Sequence, residues 1–213
     1  MQVAEKAVYI VDDDEAVRRA LTRSLEQRGF TVSSYASAEA FLASYEHESP
    51  GCLVLDVRMP GINGLELQEI LAEKQIPLPI IFITGHGDIP MSVRAMKGGA
   101  TDFLEKPYPV EMLVERLDCA LEAGVKLHEG ALHASEIKGC YEQLTPREKD
   151  VMIRLVAGAA DTSNKVIARE LDISHRTVDD HRARVMAKMQ ARSLAELVDM
   201  AKICGVYTAE PTA

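Results

Sequence analysis

Leu53-Val54-Leu55-Asp56-Val57-Arg58-Met59-Pro60-Gly61 is the stretch on which the fold turns. An unbroken aliphatic run ends on a lone carboxylate, and a Pro-Gly turn follows. Short strands that are apolar at nearly every position are buried on both faces, as in parallel sheets covered by helices. Upstream, Ala7-Val8-Tyr9-Ile10-Val11 has the same form and ends on Asp12-Asp13-Asp14. Downstream, one apolar strand ends at Thr84, and another is followed by Lys106-Pro107.

Working outward, strands are expected at 7–12, 31–35, 52–56, 79–84 and 102–105. Helices are expected at 15–28, 37–47, 64–74, 89–97 and from 109 onward. Gly29, Pro50-Gly51, Pro60-Gly61, Pro77, Gly98-Gly99 and Pro107 punctuate the alternation. Five β-α units of this length predict an α/β, flavodoxin-like (βα)5 parallel sheet over residues 1–123. Ligands of such sheets bind at the carboxyl ends of the strands, where Asp12, Asp13, Asp56, Thr84 and Lys106 all fall. Met112, Leu113, Leu117, Leu121 and Val125 keep helical spacing beyond the sheet. The last helix is therefore expected to enter a partly helical linker at 124–142, despite Gly124, Gly130 and Gly139.

Residues 143–213 carry helix signals and no convincing strand, which predicts a small all-α domain. Thr145-Pro146-Arg147-Glu148 has the form of a capping box with proline at the first helical position, and Ser193-Leu194-Ala195-Glu196 has the form of a second. Between them, Lys165–Leu171, the tight turn Asp172-Ile173-Ser174 and a helix to about Met189 make a helix-turn-helix.

The chain of 213 residues is 47% hydrophobic, which excludes intrinsic disorder. Its apolar runs fall far short of the ~20 residues needed to span a bilayer, and the start has no signal-peptide pattern. Cys52, Cys119, Cys140 and Cys204 have no metal-ligand spacing and are expected to be reduced and mostly buried, in a cytoplasmic protein. The net charge of −9 argues against nucleic acid until it is divided along the chain. Residues 1–123 hold 11 basic and 20 acidic residues, whereas 144–213 hold 11 and 10. The acidity belongs to the first part alone.

A carboxylate attacks a phosphoryl group only where the anions are neutralised and held in line. Asp12, Asp13 and Asp56 at adjacent strand ends repel one another without a cation. Hard oxygen ligands and a phosphoryl donor call for Mg²⁺, or Mn²⁺ in its place. Lys106 adds a positive charge for the phosphoryl oxygens, and the Thr84 hydroxyl a hydrogen bond. Singly, each residue has a plain reading: a solvated turn, a helix cap, a core ring, a surface lysine. Their joint order is what carries the site.

In Val11-Asp12-Asp13, Leu55-Asp56-Val57-Arg58-Met59-Pro60-Gly61, Thr84-Gly85, Phe103 and Lys106-Pro107, residues 5–123 resemble the receiver domain of bacterial two-component response regulators. The resemblance implies that Asp56 accepts phosphate from a sensor histidine kinase. It implies Mg²⁺ held by Asp13, Asp56 and the backbone carbonyl of Arg58, with Asp12 assisting through water. It also implies a cis peptide before Pro107, and a switch in which Thr84 moves inward and Phe103 fills the vacated space. The readout surface would lie at about residues 88–121, with a homodimer forming on phosphorylation. Asp14 is left to cap the first helix or to add acidity at the rim. Arg58 and His86, each two residues beyond a site residue, are candidates for tuning the lifetime of the phosphate.

On a helical wheel, Val178, Val185 and Met189 face the domain core, and Arg176, Asp179, Asp180, Ala183 and Arg184 face away, with His181 and Lys188 on the flank. Leu144–Glu148, Asn164–Leu171 and Ser174–His181 resemble the LuxR/FixJ-type helix-turn-helix, which implies binding to double-stranded promoter DNA as a dimer. The candidate contacts are Lys165, Arg176, Thr177, Asp179, Asp180, His181, Arg184 and Lys188, with RNA polymerase as the downstream partner. Residues 159–164 add about three positions to the usual pattern, and the paired carboxylates Asp179 and Asp180 repel phosphate while suiting cytosine amino groups.

Two rivals remain. An aspartyl phosphatase on a similar sheet needs a second acid two residues after the nucleophile, and here that residue is Arg58. The chain is therefore not expected to be an enzyme beyond its own phosphorylation and dephosphorylation. A receiver used only for protein docking, its helical domain no longer binding DNA, would show no salt-dependent promoter binding.

Overall fold

The computed structural model describes residues 7–45, 50–85, 89–157 and 163–207. The chain divides into two compact units, Met1–Ala131 and Leu132–Ala213.

The first unit is a five-stranded parallel sheet in the order β2-β1-β3-β4-β5. The strands are β1 (Ala7–Val11), β2 (Thr31–Tyr35), β3 (Gly51–Asp56), β4 (Ile80–Thr84) and β5 (Asp102–Glu105). Between them run α1 (Glu15–Glu26), α2 (Ala38–Ser44), α3 (Gly64–Glu73) and α4 (Ile89–Lys97), and α5 (Val110–Glu142) follows. Strand periodicity sorts the core into two layers. Leu53 and Leu55 join Val11, Phe41, Leu67, Leu71 and Phe82 on one face. Val54, between them, joins Ile10, Leu25, Ile83, Leu113 and Leu117 on the other. Each fully buried aliphatic side chain contributes about 2 kcal/mol, so a one-residue slip of β3 would exchange the two layers at high cost.

The expectation of strands buried on both faces holds for the three central ones and fails at β2. Thr31, Ser33 and Ser34 are exposed there, because β2 is an edge strand with small polar residues. The connector differs too. Helix α5 runs unbroken through Gly124, Gly130 and Gly139 to Glu142. Of the four free cysteines only Cys52 is buried; Cys140 and Cys204 are half-buried and Cys119 is exposed.

The second unit holds α6 (Pro146–Val156), α7 (Asn164–Leu171), α8 (His175–Lys188) and α9 (Leu194–Ile203) around Ile137, Val151, Leu155, Ile167, Val178, Val185, Met189 and Leu197. The Thr145 capping box is complete, with Thr145 Oγ1 accepting from Glu148 N and Glu148 Oε2 accepting from Thr145 N. The second expected box is only half made. Ser193 caps Glu196 N, but the Glu196 carboxylate turns to Arg192 N at 2.8 Å instead of Ser193 N. The turn between α7 and α8 is set by Asp172, whose left-handed φ of 52° ends α7, and by Ser174, which caps α8 through Thr177 N. Among the described residues no helix is long and apolar enough to cross a membrane.

Candidate functional site

β1 and β3 are neighbours in register, Val11 beside Leu55, so Asp12 and Asp56 emerge together at the carboxyl edge of the sheet. Both are buried, at 4% and 8% exposure. Lys106 arrives from the end of β5, two strands away, and its Nζ donates to Asp12 Oδ2 at 2.9 Å and to Asp56 Oδ1 at 3.3 Å. The Arg58 N–H donates to Asp56 Oδ2 at 2.7 Å. Thr84 is buried at the end of β4, one residue past the partner of Asp56, and its carbonyl accepts from Lys106 N. Phe103 is half-buried against Phe82, with ring centroids 6.3 Å apart, and the Lys106–Pro107 peptide is cis.

One ammonium therefore serves two buried carboxylates. Burial lifts the Asp56 carboxyl above the usual aspartate range, and Asp12 adds to the lift, while Lys106 and the Arg58 N–H pull the other way without cancelling it. Burial acts to lower the Lys106 ammonium, but the bond to Asp12 and the charges of both carboxylates outweigh it and raise it. The two shifts point in opposite energetic directions, and the stoichiometry explains it: the lysine is over-supplied with anions, the aspartates under-supplied with cations.

The fit to a divalent cation follows from the same count. Two buried carboxylate donors with surplus negative charge are what Mg²⁺ uses, since it takes one or two carboxylates and keeps its waters. Asp13, the next residue, has its side chain exposed at the rim of the same edge. Asp14 caps α1 through Ala16 N and Val17 N. Arg58 is exposed at the rim, and His86 lies outside the described residues.

Sequence reasoning missed three supports. Arg18 Nη1 donates to the Asp12 carbonyl at 2.7 Å. Glu39, on α2, accepts from Ile62 N at 3.2 Å and so holds the loop that follows Asp56. Gly64 leaves room for the Asp56 carbonyl, which would lie 2.3 Å from an added Cβ. Glu39 and Ile62 lie 23 residues apart and Arg18 only six from Asp12, but only Gly64, starting a helix where glycine is a poor choice, left a signal.

In the second unit, α8 presents the face expected of it. Val178, Val185 and Met189 are buried, and Arg176, Asp179, Asp180, Ala183 and Arg184 are exposed. Among the described residues nothing pairs with the side chains of Lys165, Arg176, Asp180 or Arg184. Thr177 Oγ1 lies 2.8 Å from Ser174 Oγ, within the cap of α8. His181 is half-buried, and its Nδ1 has no partner among the described residues. Lys188 departs from expectation. Its Nζ donates to Glu148 Oε2 at 2.7 Å and to the Gln143 carbonyl at 3.2 Å, because the buried Glu148 carboxylate requires a cation. Lys188 thus ties the end of α8 to the first turn of α6. Asp179, in turn, is held by Asn164 of α7.

A lysine-bridged carboxylate pair at the open edge of a (βα)5 sheet, joined in one chain to a helix-turn-helix, defines a class: a receiver attached to a DNA reader. Residues 8–118 match the response regulator receiver domain, and residues 142–201 match the luxR family of bacterial regulatory proteins. The chain belongs to the response regulators, with a receiver and a LuxR-type DNA-binding domain. It is 45% identical over 199 residues to the transcriptional regulatory protein FixJ of Bradyrhizobium diazoefficiens, covering 93% of this chain and 96% of that one. It is 45% identical over 198 residues to the response regulator protein TmoT of Ectopseudomonas mendocina, covering 93% and 89%. Among solved structures, the response regulator StyR superposes with a TM-score of 0.69 at 41% identity, covering 93% of this chain and 99% of StyR.

Proposed function

We propose that Asp56 is the phosphoacceptor of this transcriptional response regulator, and that its phosphorylation controls promoter binding by α8. The observation that carries the reading is the single Lys106 ammonium between Asp12 and Asp56. A carboxylate oxygen of Asp56 attacks the phosphorus of a kinase phosphohistidine, the P–N bond breaks, and the imidazole leaves with a proton. Lys106 is placed to turn from Asp12 to the incoming phosphoryl oxygens, and Thr84 to give them a hydroxyl hydrogen bond. Asp12 and Asp56, with Asp13 at the rim and the Arg58 carbonyl, would hold Mg²⁺, or Mn²⁺. When bound, the metal supplies positive charge for the phosphoryl oxygens. The receiver's own catalysis is limited to gaining and losing this phosphate.

Readout runs through the α4-β5-α5 surface. Ile89, Val93 and Met96 recur along α4 at 80%, 44% and 48% exposure, and Met112 of α5 is 40% exposed. An apolar row of this kind suits a homodimer formed on phosphorylation. Converting a mostly inactive population to a mostly active one needs ~5.5 kcal/mol of differential stabilisation, which phosphate and dimer contacts supply together. The remaining partners in this reading are a sensor histidine kinase, promoter DNA and RNA polymerase, in the cytoplasm. We assign the receiver to 1–123, the linker to 124–142 and the DNA reader to 143–213.

The test is to incubate the purified chain with Mg²⁺ and a small acyl phosphate, and to map the product by mass spectrometry after borohydride trapping. Modification at Asp56 is expected. An unmodified chain, or phosphate on another residue, overturns the reading.

A further inference from the structure

We infer that Asn164 is a positioning residue for sequence readout, holding the Asp179 carboxylate on the exposed side of α8 to accept a hydrogen bond from a cytosine amino group. The inference rests on the proposed DNA-binding role of α8, and adds which carboxylate reads and what holds it.

Asn164 is the first residue of α7, and its side-chain nitrogen donates to Asp179 Oδ1 on α8. Arg182, three residues past Asp179, donates from Nη1 to Asn164 Oδ1 at 3.3 Å. A guanidinium only donates, so it accepts nothing from the amide and takes its oxygen end. The nitrogen end is thereby directed at the carboxylate, and the amide orientation follows from the chemistry of its two neighbours. Asp179 is exposed, and its second oxygen, Oδ2, has no protein partner among the described residues. The adjacent Asp180 is also exposed, and among the described residues nothing pairs with its side chain. A carboxylate fixed from a second helix loses less rotamer freedom on contact than one ordered only at that moment.

The chemistry selects one base. In the major groove cytosine offers its N4 amino donor, adenine sets its N6 donor beside the N7 acceptor, and guanine and thymine offer acceptors. A fixed anionic acceptor is satisfied by cytosine, compromised by adenine and repelled by the other two. The Arg182 cation behind the amide offsets repulsion between Asp179 and the DNA phosphates. The last of the residues that look inserted, 159–164, is thus wired into the reading head.

The test selects half-sites from a randomised duplex library with the full chain, with melting curves taken for every variant. Wild type is expected to select cytosine at one position. Asp179→Ala should abolish that preference, and Asn164→Ala should reduce it roughly fivefold, leaving other positions and the salt slope unchanged. Arg182→Met should weaken the same position. The inference is overturned if Asn164→Ala leaves the cytosine preference intact, or lowers affinity equally at every position along with the melting temperature. It is also overturned if the position lost with Asp179 selects guanine or thymine. A wild-type chain that enriches no sequence would overturn the DNA-binding reading itself, and this inference with it.

Discussion

Lys106 and Lys188 each reach a buried carboxylate, one in each compact unit, and the electrostatic outcomes are opposite. Around Lys106, two buried carboxylates share one ammonium, and Asp56 is held above the usual aspartate range. Around Lys188, one carboxylate meets one ammonium, with the Thr145 N–H and the Gln143 carbonyl completing the set. There the bond from Lys188 holds Glu148 below the usual glutamate range. Both carboxylates are buried, Asp56 at 8% and Glu148 at 2% exposure. Burial prevails at Asp56, where the shared ammonium does not cancel it, and is outweighed at Glu148 by the bond from Lys188. The unbalanced cluster gains from an added cation and from chemistry that redistributes its charge, whereas the balanced one is saturated and structural.

The contrast is broken most directly by neutralising each carboxylate. Asp56→Asn should abolish any phosphodonor-dependent gain in promoter affinity, whereas Glu148→Gln should retain it; fluorescence anisotropy on a promoter fragment, with and without donor, checks both. The stability effects should then run in opposite directions. Glu148→Gln leaves Lys188 without its anion and should cost about 2 kcal/mol, while Asp56→Asn relieves a buried charge and should add about 1 kcal/mol. Urea titrations followed by circular dichroism measure the two.

Acidification sharpens the sign. A carboxylate whose folded pKa is depressed contributes stability above its unfolded pKa, and loses it as pH falls through the folded value. The Glu148 contribution should therefore persist at neutral pH and disappear below the ordinary glutamate range, so that wild type and Glu148→Gln converge in acid melts. The smallest effect concerns salt. Arg176→Ala and Arg184→Ala should each reduce the slope of log affinity against log salt by about one. Lys188→Gln should leave that slope unchanged, because its ammonium is already committed to Glu148.

Much of this was legible in the sequence because it is local. The Leu53–Leu55 run sets a doubly buried strand, the Asp12 and Asp56 positions follow from strand ends, and the α8 faces follow from helical periodicity. Part of what was illegible depended on partners far along the chain, and part on a choice between near-equivalent neighbours. The pairing of Lys188 was hidden because nothing near it in sequence shows Glu148, forty residues upstream and buried beside it. Glu196 fitted a capping box by spacing, yet Arg192 N offered an equivalent donor one residue earlier. Asp12 and Asp13 differ in burial, the first buried and the second exposed, because successive residues at a strand end point apart.

Helix α5 has one glycine that it cannot exchange and two that it can. A methyl group at Gly124 would lie 2.6 Å from the Gly51 carbonyl, at the opposite end of β3 from Asp56. Main chain meets main chain there, so the helix is seated on rigid atoms that cannot repack and its axial position on β3 is locked. At Gly130 and Gly139 an added methyl would meet nothing within 4 Å. Before and after those two positions the same helix gives side chains to separate cores, Leu113 and Leu117 to that of the sheet and Ile137 to that of the second unit.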